Sequence, residues 1–378
     1  MSKLPNKIIH YDVLTRLPAK SLLRFKSVCK DWYALIKSRT FINIHQNYAI
    51  ESHDYSSDDL LIVGCGSNTY CKTPNKLFFI YLYAPFSLRG THVICDDKVN
   101  TGLSRFIVGS CNGVICIEIL SSTDTFALYN LLTRECRKLV KPRCDHYSKY
   151  PSIYTTYGFG YDSISRDYKI IRTFLFKDRY NMMTLGGIVH VYSSRTNSWK
   201  DSDKINPFIN QIIPGYIVVN NVLHCICSMK DNGDYFYIFT FNLHTEKSGC
   251  IALPKKYMED GDDQPSLMVS NGRLYTIVKN LASFQASIWV MKQYGMTKSW
   301  TKLYEFGGEV VQFKIITYRS SKRSGEMLIV KTVDEQNDEL MWYNFEHKSF
   351  RKVDLPQKNK YDGNQLVCIS SLAPILGD

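Results

Sequence analysis

From about residue 60 onward, apolar and aromatic residues recur with a period of two, in short runs separated by turn residues. That pattern fits half-buried β-strands. Asn112-Gly113 lies between Ile107-Val108 and Val114-Ile115-Cys116-Ile117, and Asn271-Gly272 between Leu267-Met268-Val269 and Leu274-Tyr275. Asn-Gly between such runs predicts a two-residue hairpin, because both residues accept positive φ. Asn220-Asn221 fills the same place between Val218-Val219 and Val222-Leu223. A second string follows each hairpin: Tyr129-Asn130-Leu131-Leu132-Thr133, Phe241-Asn242-Leu243-His244-Thr245 and Ile288-Trp289-Val290-Met291. Tyr192, Phe241, Trp289 and Trp342 are separated by 49, 48 and 53 residues. A period near 50 with about four strands per unit predicts an all-β propeller of about six blades over residues 60–370. Two β-sandwiches with coincidental spacing are the alternative.

The first 48 residues have a different period. Leu4, Ile8, Ile9, Val13, Leu14 and Leu17 fall on one face of a helix that ends near Arg16, before Pro18. A second helix is predicted over 20–27, with Leu22, Leu23 and Phe25, and a third over 28–38, with Val28, Trp32, Leu35 and Ile36. Three helices this short expose more apolar surface than they bury. That surface either docks a partner or packs on the domain that follows. Residues 1–50 hold nine Lys and Arg against two acids, a large share of the chain's net charge of +12. Such a basic module favours an acidic partner surface.

Several classes are disfavoured. No apolar run approaches the length of a membrane helix, and the N-terminus lacks the apolar stretch of a secretory signal. A cytoplasmic or nuclear location without membrane attachment is expected. The twelve cysteines include no Cys-x-x-Cys pair, so buried, reduced thiols are expected and no metal. Nothing resembles a zinc finger, an RNP pattern or a Gly-x-x-Gly loop, so nucleic acid is not an expected partner. No Gly-x-Ser-x-Gly, His-Glu-x-x-His or phosphate-binding loop is present. His10, His190 and His224 lie within periodic elements and are read as packing residues. No catalytic residue, enzymatic activity or cofactor is expected.

The run Leu4-Pro5, Ile8-Ile9, Asp12-Val13-Leu14, Arg16-Leu17-Pro18, Lys20-Ser21-Leu22-Leu23-Arg24-Phe25-Lys26 and Val28-Cys29-Lys30-x-Trp32 resembles the F-box. The resemblance implies three helices that dock on a Skp-type adaptor and, through it, on a cullin–RING ubiquitin ligase. The implied adaptor contacts are Leu4, Pro5, Ile8, Val13, Leu14, Leu17, Pro18, Ser21, Leu22, Leu23, Val28, Cys29 and Trp32. Asn6-Lys7 stand where the family often has an acidic residue. The remainder is similar to the kelch-like F-box-associated domain of plant F-box proteins. The carrying segments include Gly109-Ser110-Cys111-Asn112-Gly113, Tyr157-Gly158-Phe159-Gly160-Tyr161-Asp162 and Ile288-Trp289-Val290-Met291. Kelch-type Gly-Gly pairs occur only at Gly186-Gly187 and Gly307-Gly308. The resemblance extends to S-locus F-box-like proteins, some of which recognise ribonucleases. It implies a non-catalytic substrate receptor of an SCF-type ligase with a protein substrate on a propeller face. A scaffold that binds a partner without promoting its ubiquitylation is the alternative. The loops Cys144–Pro151, Lys177–Met183, Asp231–Asp234 and Glu259–Gln264 are the expected substrate contacts.

Overall fold

The computed structural model describes residues 9–51, 60–65, 77–82, 91–92, 104–120, 125–130, 132–140, 152–178, 180, 183–230, 234–254, 265–280, 282–320, 325–333, 338–353, 366–369, 372 and 375. They fall into two compact units, Met1–Leu139 with Val353–Ile375, and Val140–Lys352 with Leu376–Asp378.

The first unit opens on a π-helical turn, Ile9–Val13, and a 3-10 turn, Leu14–Arg16. Helix α1, Ala19–Phe25, follows Pro18, whose carbonyl accepts the N–H groups of Ser21 and Leu22. Proline sits well there because the N–H it lacks would have had no helical partner. Helix α2, Lys30–Lys37, is capped by Cys29, whose Sγ accepts the Trp32 N–H at 3.4 Å. Helix α3, Arg39–Glu51, starts behind Ser38, whose Oγ accepts the Phe41 N–H at 3.3 Å.

Helix α3 differs from the three-helix expectation. Thr40, Phe41, Ile42 and Ile44 are β-branched or aromatic and weak helix formers, so the segment carries no strong helical signal. Packing overrides that preference. Phe41, Ile42 and His45 are buried, and Phe41 and Ile42 share a core with Leu14, Ala19, Leu22, Ile36 and Leu372, against which Leu132 also packs. The His45 imidazole meets the Leu17 carbonyl at 2.8 Å. Burial pushes its pKa down, outweighing that hydrogen bond, so a neutral ring donates from Nε2.

Strands β1 (Leu60–Cys65), β2 (Leu77–Leu82) and β3 (Thr91–His92) begin an antiparallel sheet. The next sheet holds β4 (Ser104–Cys111), β5 (Val114–Leu120), β6 (Thr125–Asn130) and β7 (Cys136–Val140). In the second unit, β8 (Ser152–Asp162), β9 (Asp167–Lys177), β10 (Thr184–Ser193) and β11 (Ser198–Ile205) form one sheet. A five-stranded sheet follows, with β12 (Ile209–Ile212), β13 (Ile217–Val219), β14 (Val222–Lys230), β15 (Asp234–Asn242) and β16 (Lys247–Ala252). Next come β17 (Ser266–Ser270), β18 (Arg273–Asn280), β19 (Gln285–Met291) and β20 (Trp300–Gly307). The series continues with β21 (Lys314–Ser320), β22 (Gly325–Thr332), β23 (Asp338–Asn344) and β24 (Ser349–Lys352). Finally β25 (Leu366–Ile369) pairs with β1 and completes the first sheet. The expectation of about six blades thus meets five blades of consecutive strands and a composite sheet that joins the two ends of the strand series.

The turns explain the sequence period. Asn112-Gly113, Asn220-Asn221 and Asn271-Gly272 all have positive φ, as two-residue hairpins require. At the turn between third and fourth strands, Asn130, Asn242 and Asn344 each accept two backbone N–H groups on Oδ1. Four residues later Arg134, Glu246 and Lys348 take the left-handed conformation. Ser193 with Asn197, and Met291 with Gly295, occupy the same places in two other sheets. Tyr192, Phe241, Trp289 and Trp342, whose spacing suggested the repeat, all lie on third strands.

Neighbouring sheets of the second unit pack face to face. Ile171, Leu175, Val189 and Val191 of one meet Leu223, Cys225, Phe239 and Phe241 of the next, with Tyr216 between. Gly158 and Gly160 let β8 approach this seam. A Cβ on Gly158 would lie 2.8 Å from Tyr216 Cγ, and one on Gly160 2.8 Å from Leu243 Cδ1.

Candidate functional site

The adaptor contacts implied by the sequence occupy three environments. Leu4, Pro5 and Ile8 lie outside the described residues. Leu14 and Leu22 are fully enclosed in the helical core, so they brace the face from beneath. Leu17, Pro18, Ser21, Leu23 and Trp32 are half-buried, while Val13, Val28 and Cys29 are exposed. Val13 is 44% and Val28 60% accessible, unusual for β-branched apolar residues on a small helical module. Trp32 sets its ring against Phe25 in an edge contact, centroids 5.5 Å apart, which fixes α2 on α1.

Tyr33 is also exposed and lies under the Lys37 ammonium, 5.6 Å from its ring centre. The sequence reading passed over it because it sits one position off the apolar stripe. Arg16, Lys20, Arg24, Lys30 and Lys37 are exposed around these residues. Apolar anchors in a basic field suit a protein surface that is itself apolar and acid-rimmed.

Of the loops expected to touch substrate, Cys144–Pro151 and Glu259–Gln264 lie outside the described residues, as does Asp231–Asp234 apart from the first residue of β15. Lys177–Met183 is described in part. The Lys177 amine donates to Thr184 Oγ1 at 3.0 Å, to Asn210 Oδ1 at 2.9 Å and to the Asn210 carbonyl. It thereby ties the β9–β10 turn to the start of β12.

At the other end of the same seam lies a charged cluster that the sequence did not disclose. Lys169 reaches Glu246 at 3.0 Å, Asp162 at 3.4 Å and the Leu243 carbonyl at 2.5 Å. Lys200 holds the second oxygen of Glu246 at 2.9 Å, and His244 stands 3.3 Å from Asp162. Burial pushes the Asp162 carboxyl up. The Ser165 hydroxyl, the Ser165 and Ile164 N–H groups and Lys169 outweigh it, and the net pKa falls below the ordinary value. Glu246 follows the same balance, with Lys200 and Lys169 outweighing burial. Every strong group here is matched by another, which is the pattern of a structural clasp.

The histidines weighed as catalytic candidates are engaged in packing and pairing. His224 is fully buried, its Nε2 is 2.8 Å from the Tyr294 hydroxyl, and burial lowers its pKa to about 4. His190 lies 2.6 Å from Asp201. The side chain of His10 lies outside the described residues. Burial raises the pKa of the Cys116 and Cys225 thiols, holding both protonated. Among the described residues no group of three or more His, Cys, Asp or Glu is arranged to hold a metal ion. No described helix is long and apolar enough to cross a membrane.

The comparisons accord with this geometry. Residues 87–375 match the F-box associated beta propeller domain, and residues 1–43 match the F-box domain. F-box protein CPR1 of Arabidopsis thaliana is 25% identical, over 100% of this chain and 91% of that protein. A second Arabidopsis thaliana F-box protein is 26% identical over 97% of this chain and 90% of its own length. An F-box/kelch-repeat protein from the same plant is 24% identical, covering 80% of this chain and 74% of the relative. With the propeller-domain match spanning most of the chain, the helices in place before it and relatives aligned along nearly its whole length, the chain belongs to the plant F-box proteins that carry an F-box-associated β-propeller domain.

Proposed function

We propose that this chain is the substrate-recognition subunit of an SCF-type (Skp–cullin–F-box) ubiquitin ligase. Its helices dock on a Skp-type adaptor, and its propeller domain presents a target protein for ubiquitylation and degradation. The observation that carries the reading is an F-box whose apolar side chains Val13 and Val28 stand in solvent within a basic field, in one chain with a recognition domain. We take the functional domains as residues 1–48 and 60–370. In this reading Val13, Leu17, Pro18, Ser21, Leu23, Val28, Cys29 and Trp32 touch the adaptor, joined by Leu4, Pro5 and Ile8, while Leu14 and Leu22 hold the surface in shape. Ribonuclease targets rest on the S-locus resemblance alone.

The test is co-precipitation of the full chain with a purified Skp-type adaptor, beside the double substitution Val13→Glu with Val28→Glu. Both side chains are exposed, so the fold should survive, which circular dichroism checks. Adaptor binding should weaken on the order of ten-fold or more, the scale of losing interface anchors. If the wild-type chain binds no such adaptor, the receptor reading fails and the scaffold reading replaces it.

A further inference from the structure

The exposed charges of the second unit are unevenly placed. Every sheet there runs its strands in alternating directions, so first-to-second-strand and third-to-fourth-strand turns share one end of each sheet. That end shows Arg166 at β8–β9, Arg195 at β10–β11, Arg273 at β17–β18, Lys292 and Lys298 at β19–β20 and Lys348 at β23–β24, all exposed. No ion pair joins any of these six to a described residue. Among the described residues of these turns Glu346 is the exposed acid. Asp162 and Asp167 are buried, and Glu246 is held by Lys169 and Lys200. The β21–β22 connection, 321–324, lies outside the described residues, and its sequence, Ser321-Lys322-Arg323-Ser324, contains no acid. Near the opposite end exposed charges of both signs stand together, Lys204, Lys314 and Lys352 with Glu305 and Glu309.

The β19–β20 connection carries two of the six cations and is firmly built. Ser299 Oγ donates to the Gln293 carbonyl at 2.8 Å and accepts the Gln293 N–H at 3.1 Å, and the Met296 N–H donates to the same carbonyl at 3.1 Å. Gly295 makes the bend at positive φ. The Tyr294 hydroxyl reaches His224 of the preceding sheet at 2.8 Å, which ties the connection to the start of β14. Two exposed apolar side chains therefore stand in fixed positions between Lys292 and Lys298, Tyr294 at 40% and Met296 at 55% accessible. Ile164, at 63%, stands beside Arg166 at the same end.

We propose that this end, centred on the β19–β20 connection with Arg273 of the same sheet, docks an acidic segment of the target protein that carries apolar side chains among its carboxylates. The inference rests on the substrate-receptor reading and gives its target a chemistry. Charge complementarity selects the occupant. Unpaired cations of one sign attract carboxylates and turn basic partners away. Tyr294 and Met296 add an aromatic face and a thioether for apolar groups, which a bare polyanion lacks. Spacing also favours a protein. The cations come one or two to a turn, from sheets that pack about 10 Å apart. Duplex DNA carries a charge about every 1.7 Å and calls for a denser stripe. Anchored turns reduce the ordering entropy of binding. The Lys177–Met183 loop, singled out by its composition, lies toward the opposite end.

The probe is a displayed library of random linear peptides, selected against the intact wild-type chain at physiological ionic strength. Selected peptides should be rich in Asp and Glu with Leu, Phe or Tyr between them, and should bind more weakly as salt rises. Lys292→Glu with Lys298→Glu should weaken them about 10-fold or more, the scale of setting like charges against each other at an interface. Lys204→Glu with Lys314→Glu, the same change of charge near the opposite end, should leave them nearly unchanged. Val13→Glu with Val28→Glu should keep the peptides and lose the adaptor, and Lys292→Glu with Lys298→Glu should do the reverse. All the replaced side chains are exposed, and matched thermal unfolding curves would show that each variant folds. Selection of neutral or basic peptides, failure to select any, or equal loss in either control variant would overturn the proposal. So would a random-sequence oligonucleotide or an anionic lipid vesicle that binds more tightly than the peptides and is released by Lys292→Glu with Lys298→Glu, because that polyanion would then be the occupant. If the peptides bind as expected but the wild-type chain binds no adaptor, the docking surface stands and the receptor reading falls.

Discussion

Lys169 and Lys177 stand near opposite ends of β9, on one face of the sheet and about 26 Å apart at the usual strand rise. Both cross the same seam to the next sheet. Lys169 does so through carboxylates, meeting Asp162 and Glu246 in a charged clasp. Lys177 does so through amide and hydroxyl oxygens, meeting Asn210 and Thr184. Between them the seam is apolar. The charged end is cross-braced further, with Asn221 Nδ2 donating to Ser163 Oγ at 2.9 Å, and level with the middle of β9 the Ser248 N–H donates to Asp203 at 2.7 Å. At the other end the Lys177 ammonium bonds amide and hydroxyl oxygens. The difference teaches how one seam can be fastened by two chemistries, paired carboxylates at one end and neutral acceptors around an ammonium at the other.

The largest expected effect comes from Lys169→Met. It strands the fully buried Asp162 beside Glu246 with no amine between them, a loss of about 3–5 kcal/mol for a broken buried pair. Urea unfolding measures it. Lys177→Met should cost less, about 1–3 kcal/mol, because what it strands are neutral acceptors. Equal losses in the two variants would break the comparison.

Acid sharpens the contrast. The folded pKa values of Asp162 and Glu246 lie below their ordinary 3.8 and 4.5. Their contribution is therefore fully present above about pH 5 and is lost as pH falls through those values toward the lower folded ones. The stability gap between wild type and Lys169→Met should narrow below about pH 4, while the gap for Lys177→Met should hold. A parallel decline in both gaps would show that the clasp is not what titrates. The smallest effect belongs to Lys200→Ala. Its partner Glu246 keeps Lys169, and Lys200 itself is largely exposed, so at most about 0.5 kcal/mol should go, and less in high salt.

Much of this molecule was legible in sequence because local chemistry dictates it. Asn112-Gly113 and Asn271-Gly272 are hairpins because those residues tolerate positive φ, and the helix Ala19–Phe25 begins behind Pro18 because proline suits a helix start, whereas the cap at Cys29 falls inside the helix expected over 28–38. The features that stayed hidden depend on distant partners. Helix α3 owes its form to the burial of Phe41 and His45 against residues far along the chain. Glu246 lies 77 residues from Lys169, a pairing no spacing rule contains. The third-to-fourth-strand turns share a left-handed backbone at Arg134, Asn197, Glu246, Gly295 and Lys348, five positions with five different side chains. The tie between the β9–β10 turn and β12 was hidden too, because Lys177 and Thr184 reach Asn210 across 33 and 26 residues of sequence.

The pairing of β1 with β25 bears on biosynthesis. Leu60 meets Ile369 and Val63 meets Leu366, so the sheet begun first is among the last to be finished. On the ribosome the helices and the sheets from β4 onward can form as they emerge, whereas β1 must wait with one edge unpaired. An open strand edge invites pairing with other chains. A transcript truncated before Leu366 would release a protein whose first sheet lacks the strand that covers β1 and whose helical core lacks Leu372.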